Sequence, residues 1–163
     1  MRTNIRYIFG EKGATEADMP PRLTVSLVNQ PLPDFEDIKV NLQPNYLNNR
    51  MVIVCFFDMN QRPSRNCITR LAKQTEQLGE KSATIVAIHA SKIEERTLNE
   101  CVRKNEVPFP VGTIRNNETK TRFLWGIKSL PWLILTNCNH VVTAEGFGLD
   151  ELEDKIRQAG GGK

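Results

Sequence analysis

The sequence predicts an α/β domain built on a mixed sheet flanked by helices, and three observations carry that reading. Strand-like and helix-like runs alternate from residue 51 to residue 125, the order of a parallel sheet with crossover helices. Two strand-like runs, 131–135 and 141–146, then follow one another across Thr136-Asn137-Cys138-Asn139-His140, a hairpin turn by composition. A final run over 150–158, with Leu152 and Ile156 on one face, closes the pattern with a helix.

Taken in order, residues 4–10 and 22–28 read as two short strands, the second alternating Leu23, Val25 and Leu27 with Thr24 and Ser26. Glu11-Lys12-Gly13-Ala14 and Met19-Pro20-Pro21 between them are loop-like. Residues 1–30 are thus expected to form an N-terminal β extension or the end of a preceding domain. A short strand is expected at 38–42 and a turn or short helix at 44–49. The run 51–57 is rich in β-branched and aromatic residues, the composition of a buried central strand. It leads through Asp58-Met59-Asn60, where Asn60 can cap a helix, into 62–78, where Ile68, Leu71, Ala72 and Leu78 recur at helical spacing. Pro63 suits the first turn, where its missing N–H has no partner in any case.

Further on, 83–90 suits a central parallel strand. Ser91 is the expected cap of a helix over 92–104, closed by Asn105. A short strand is expected at 107–111 and a third helix at 119–125, halted by Gly126. Residues 159–163 read as a flexible tail.

A length of 163 residues suits one domain with a substantial core. A net charge of +3, scattered along the chain, argues against a nucleic-acid or membrane-surface partner. No apolar run approaches the roughly 20 residues of a membrane helix. The N-terminus lacks an apolar signal region, so a cytosolic protein or an excised part of a longer one is expected. Cys55, Cys67, Cys101 and Cys138 include no C-x-x-C pair and read as free thiols. His89 and His140 stand apart, and Cys138-Asn139-His140 reads as a turn, so neither metal nor cofactor is expected.

The run from Val52 to Arg65 resembles the active-site strand and helix of thioredoxin-like oxidoreductases of the redoxin/TlpA kind, whose pattern is V-x-V-x-F-W-A-x-W-C-x-P-C-R. Phe56-Phe57 fall on F-W, Pro63 on the proline and Arg65 on the arginine, while the two cysteines fall on Gln61 and Ser64. Pro31-Leu32-Pro33-Asp34-Phe35 resembles the family's opening P-x-P-D-F, and Val107-Pro108-Phe109-Pro110-Val111 its short strand. Trp125-Gly126-Ile127-Lys128-Ser129-Leu130-Pro131 is similar to its Y-G-V-x-x-x-P. The resemblance covers residues 31–158 and implies a thioredoxin-like domain there. It further implies a cis bond before Pro131 and a peptide-pairing backbone at Leu130. A cell-envelope or periplasmic setting follows from it if the chain is part of a longer protein.

Thiol–disulfide exchange needs a thiolate attacker and a second thiol to resolve the mixed disulfide. Gln61 and Ser64 supply neither, and read as first-turn residues that cap and hydrogen-bond the helix end. The resemblance therefore implies a domain without dithiol chemistry that binds a peptide or protein partner. Its groove would comprise Phe57, Asp58, Met59, Asn60, Arg62, Pro63, Leu130, Pro131 and Trp132. Trp132 reads equally as a core aromatic or as a lip on that groove. The alternative is a single-cysteine enzyme using Cys67 in mixed-disulfide or peroxide chemistry, set against a plain buried helical thiol. Cys55, interior to a strand, reads as inert. A structural module of a larger envelope protein is the third reading.

Overall fold

The computed structural model describes residues 25–161. Among the described residues, six strands form one sheet: β1 (Ile38–Lys39), β2 (Met51–Phe57), β3 (Ala83–His89), β4 (Val111–Ile114), β5 (Trp132–Thr136) and β6 (Val142–Glu145). Their spatial order is β1-β4-β3-β2-β5-β6. The centre, β2–β3–β4, is parallel, whereas β1, β5 and β6 pair antiparallel with their neighbours. Four helices cover the sheet: α1 (Arg62–Glu80), α2 (Glu95–Lys104), α3 (Glu118–Leu124) and α4 (Leu152–Gly161), the last entered through a 3₁₀ turn at Leu149–Glu151.

Every residue of β2 and of β3 is buried. Side chains alternate across a strand, so β2 feeds two cores at once. Met51, Ile53, Cys55 and Phe57 meet Ile68, Leu71 and Leu78 of α1, Leu98 of α2, and Leu152 and Ile156 of α4. Val52, Val54 and Phe56 meet Val25, Leu27, Trp125 and Trp132 on the opposite face. Cover on both faces is why 51–57 is apolar without alternation. Phe35 stacks on Trp125 at 5.7 Å between ring centroids, anchoring the entry segment, and Phe56 meets the same indole edge-on at 5.2 Å.

Several expected boundaries move, each for a local reason. The strand expected at 107–111 begins only at Val111, because Pro108 and Pro110 have no N–H for a ladder. Pro110 still contributes its carbonyl to the Ala87 N–H. The strand expected at 38–42 shortens to two residues against β4. The second helix starts at Glu95 rather than 92, since Ser91 spends its hydroxyl elsewhere and does not cap it. Residues 159–161, expected in a flexible tail, continue α4, with Ala159 in the core.

Residues 25–28 form no strand. They are tied to β6 by Glu145, which accepts from Ser26 Oγ at 2.7 Å and from the Leu27 N–H at 3.2 Å. Residues 1–24 of the expected N-terminal extension lie outside the described residues. The 44–49 segment is a series of turns, held by Tyr46 Oη donating to the Ile85 carbonyl and His140 Nε2 donating to the Leu47 carbonyl.

Gly112 is required where β1 crosses close to β4. A methyl group there would stand 2.5 Å from the Lys39 carbonyl oxygen and 2.6 Å from Val40 Cβ. Gly112→Ala should therefore cost about 1–3 kcal/mol of stability, read as a lowered urea midpoint at unchanged slope.

Candidate functional site

The carboxyl ends of the parallel strands deliver β2 into α1 through Asp58, Met59, Asn60 and Gln61, and the turn is organised by Asp58. Its Oδ1 accepts the Asn60 N–H at 2.9 Å and its carbonyl accepts the Gln61 N–H at 2.9 Å. Gln61, not Asn60, is the residue at the helix N-cap, and its side chain makes no capping bond. Asn60 is drawn instead into the Asx-type turn on Asp58. Pro63 occupies the first helical turn as expected, and Arg65 reaches back to donate to the Met59 carbonyl at 2.8 Å.

Beneath the turn lies a buried polar network that the sequence reading missed. Asp58 Oδ2 accepts from Ser91 Oγ at 2.9 Å, and Arg122 donates to the same hydroxyl at 3.1 Å and to the Ala90 carbonyl at 3.2 Å. Fully buried His89 accepts the Met59 N–H on Nε2 at 3.1 Å, so its proton is on Nδ1 and goes to the Ser91 carbonyl at 2.7 Å. Burial alone would raise the Asp58 carboxyl. The Asn60 and Ser91 hydrogen bonds, with the Arg122 guanidinium nearby, outweigh it and hold the group below the ordinary aspartate range.

This is not a nucleophilic triad, because Ser91 gives its hydrogen to Asp58 and His89 Nε2 is occupied by a backbone N–H. A signal for the network existed in the pairing of adjacent parallel strands. Phe57 stands beside His89 in register, so Asp58 and Ser91 both follow the same edge of the sheet.

Of the expected groove residues, Asn60, Arg62 and Pro63 are exposed and Met59, Leu130 and Pro131 half-buried, and Gln61 between them is exposed as well. Phe57, Asp58 and Trp132 are buried, so they support the surface from beneath rather than line it. Trp132 is a core aromatic, packed so closely on Gly146 that a methyl group there would meet its ring at 2.5 Å. Its Nε1 has no hydrogen-bond partner among the described residues. Ser64 is fully buried, with Oγ likewise unpartnered, so it neither caps nor faces the surface. The Leu130–Pro131 peptide bond is cis. Leu130 stands just outside the β5 ladder, and among the described residues neither its N–H nor its carbonyl has a hydrogen-bond partner.

The structure also brings together two thiols that the sequence presents singly. Cys55 Sγ on β2 and Cys67 Sγ on α1 are 3.9 Å apart, so a second thiol does adjoin Cys67. Both are free and buried, whereas Cys101 and Cys138 are half-buried. Cys55, donating its hydrogen to Cys67 inside the core, is pushed well up. Cys67 is lowered, first by accepting that bond and then by the Arg70 charge, against the opposing effect of burial. The thiolate of the pair therefore belongs on Cys67. Strand alternation puts Cys55 on the face of Ile53 and Phe57, and helical spacing puts Cys67 with Ile68 and Leu71. Only the packing of α1 on that strand face joins them.

Two predictions follow from this geometry. Removing the unsatisfied hydroxyl with Ser64→Ala should stabilise the fold by roughly 1 kcal/mol in urea denaturation, since a buried unpaired donor costs more than the lost volume. For Asp58, a lowered folded-state value means its stabilisation is present above the unfolded aspartate value near 3.9 and is lost as pH falls through the folded one. Urea midpoints measured down through that window should fall more steeply in wild type than in Asp58→Asn.

No family model matches the sequence, and no curated protein matches it. Solved structures do resemble it. The thioredoxin domain of a thiol-disulfide oxidoreductase from Bacteroides vulgatus superposes with TM-score 0.67 at 14% identity, over 82% of this chain and 98% of that one. A thiol:disulfide interchange protein DsbE from Chlorobium tepidum gives 0.59 at 19% identity, over 69% and 82% respectively. A thiol-disulfide oxidoreductase from Bacteroides fragilis gives 0.60 at 16% identity, over 69% and 83%. The fold is thioredoxin-like: an α/β domain with a mixed six-stranded sheet flanked by four helices.

Proposed function

We propose that this domain binds an extended peptide, or an unfolded stretch of a partner protein, beside Leu130 and performs no dithiol exchange at the start of α1. The observation that carries the reading is the pair of Leu130 main-chain groups that no described residue engages, set by the β2–β5 register beside the exposed turn of Asn60, Gln61, Arg62 and Pro63. A donor and an acceptor on one residue at the end of a strand are what an added strand pairs with. Half-buried Met59 and Pro131 offer apolar contact for side chains of such a peptide. The dithiol part of the reading rests on chemistry: Gln61 has no nucleophilic atom, and the Ser64 hydroxyl is enclosed.

Two measurements test the reading separately. Peptides selected from a random-sequence display library against the ¹⁵N-labelled protein should shift the amide resonances of Leu130, Met59 and Gln61. N-methylation of the peptide group that pairs with Leu130 should weaken binding about 3–10-fold, the worth of one hydrogen bond. Shifts confined to another surface would overturn the binding site. Independently, reduced protein should show no turnover of a protein disulfide substrate with an added dithiol reductant. Turnover abolished by Cys67→Ser would replace this reading with that of a thiol oxidoreductase.

A further inference from the structure

We propose that Cys55 and Cys67 form an internal dithiol site, distinct from the former active-site positions, that a small hydroperoxide converts into a disulfide. The two sulfurs face one another at 3.9 Å across the β2–α1 interface, twelve positions apart in sequence. They lie within the core face formed by Phe57, Ile68 and Leu71. Cys55 is fully enclosed, and Cys67 retains 6% exposure. A protein disulfide cannot reach such a pair, whereas a molecule little larger than water needs only a small opening of the helix. Ser64, one turn before Cys67 on the same helix, adds a buried hydroxyl with no protein partner. That hydroxyl gives the interior a polar group for a peroxide oxygen to engage.

The chemistry balances without any further component. The Cys67 thiolate attacks one peroxide oxygen, breaking the O–O bond, so that Cys67 becomes a sulfenic acid and hydroxide leaves. The Cys55 sulfur then attacks the Cys67 sulfur. The S–O bond breaks, the Cys55 proton departs with the leaving hydroxyl as water, and the disulfide forms. Overall, two thiols are oxidised and one hydroperoxide is reduced, giving two waters when it is hydrogen peroxide. A small dithiol such as dithiothreitol reverses the change by exchange.

The position of the pair gives this oxidation a structural consequence. Residues 56–66, which include the whole turn from Asp58 to Gln61, lie between the two cysteines in sequence and would be closed within a covalent ring. Bringing the sulfurs from 3.9 Å to a bonded separation of about 2.05 Å also draws α1 and β2 together beneath that turn. The peroxide site thus sits under the proposed peptide-binding surface and acts on its supporting loop.

The test uses the full chain carrying Cys101→Ser and Cys138→Ser, reduced, freed of reductant and exposed to hydrogen peroxide. After alkylation in denaturant, peptide mapping should find Cys55 linked to Cys67, with the mass of two hydrogens lost. The rate should not depend on protein concentration, and dithiothreitol should restore both thiols. Wild-type protein should lose two of its four thiols and yield the same linked peptide. In Cys55→Ala, dimedone should trap a sulfenic acid on Cys67 that the parent does not accumulate. Both residues alkylated in the parent after peroxide exposure would overturn the proposal. So would Cys67 advancing to sulfinic acid while Cys55 stays free, an outcome read in the parent whether or not the variant folds.

Discussion

The structure depends on one strand being enclosed on every side. β2 lies between parallel β3 and antiparallel β5, so its peptide groups are spent in two ladders while its side chains fill a core on each face. A seven-residue strand so placed cannot slip by one position, because the shift would exchange its two side-chain sets between differently shaped cores. It also decides where the chain leaves the sheet. Parallel pairing with β3 requires a crossover, and α1 makes it across the face lined by Ile53, Cys55 and Phe57. The turn at Asp58 follows from that arrangement.

At this turn the unpaired amides of a helix start would ordinarily attract an anion. Here the chain supplies its own. The Asp58 carboxylate is bonded to the Asn60 N–H and to Ser91, with the Arg122 guanidinium stabilising its charge. Buried negative charge already in place opposes a second anion at position 61, which is the demand that a first-turn thiolate would make. An uncharged Gln61 and the presence of Asp58 are thus consistent with one another. The thiols that remain lie deeper, where enclosure and mutual hydrogen bonding govern ionisation more than the helix end does.

The network under the turn also explains why exposed and buried residues alternate so sharply there. Met59 must give its N–H to His89, and its carbonyl goes to Arg65, which leaves its backbone no freedom. Asn60, Gln61, Arg62 and Pro63 are then presented outward by a rigid base. Leu130, on the neighbouring strand end, is by contrast left with main-chain groups that nothing in the described chain engages. In the function proposed above, this fixed turn beside the strand end would serve main-chain recognition, with side-chain selectivity left to Met59 and Pro131.

Period and punctuation in the sequence by itself determined the central strands, the helix after Pro63, the stop at Gly126 and the closing hairpin. These depend on neighbours within a few residues, so local pattern encodes them. The motif order also indicated the thioredoxin-like fold. Tertiary structure alone decided which faces meet. Alternation placed Cys55 on one side of its strand and helical spacing placed Cys67 on one stripe of its helix. Neither periodicity says which stripe covers which side. The same limit hid His89 beneath Met59, diverted Ser91 from its expected cap to Asp58, and turned Trp132 from a possible lip into core. Each such contact joins elements through a crossover, and its partner is set by strand register and layer packing, which no single segment carries.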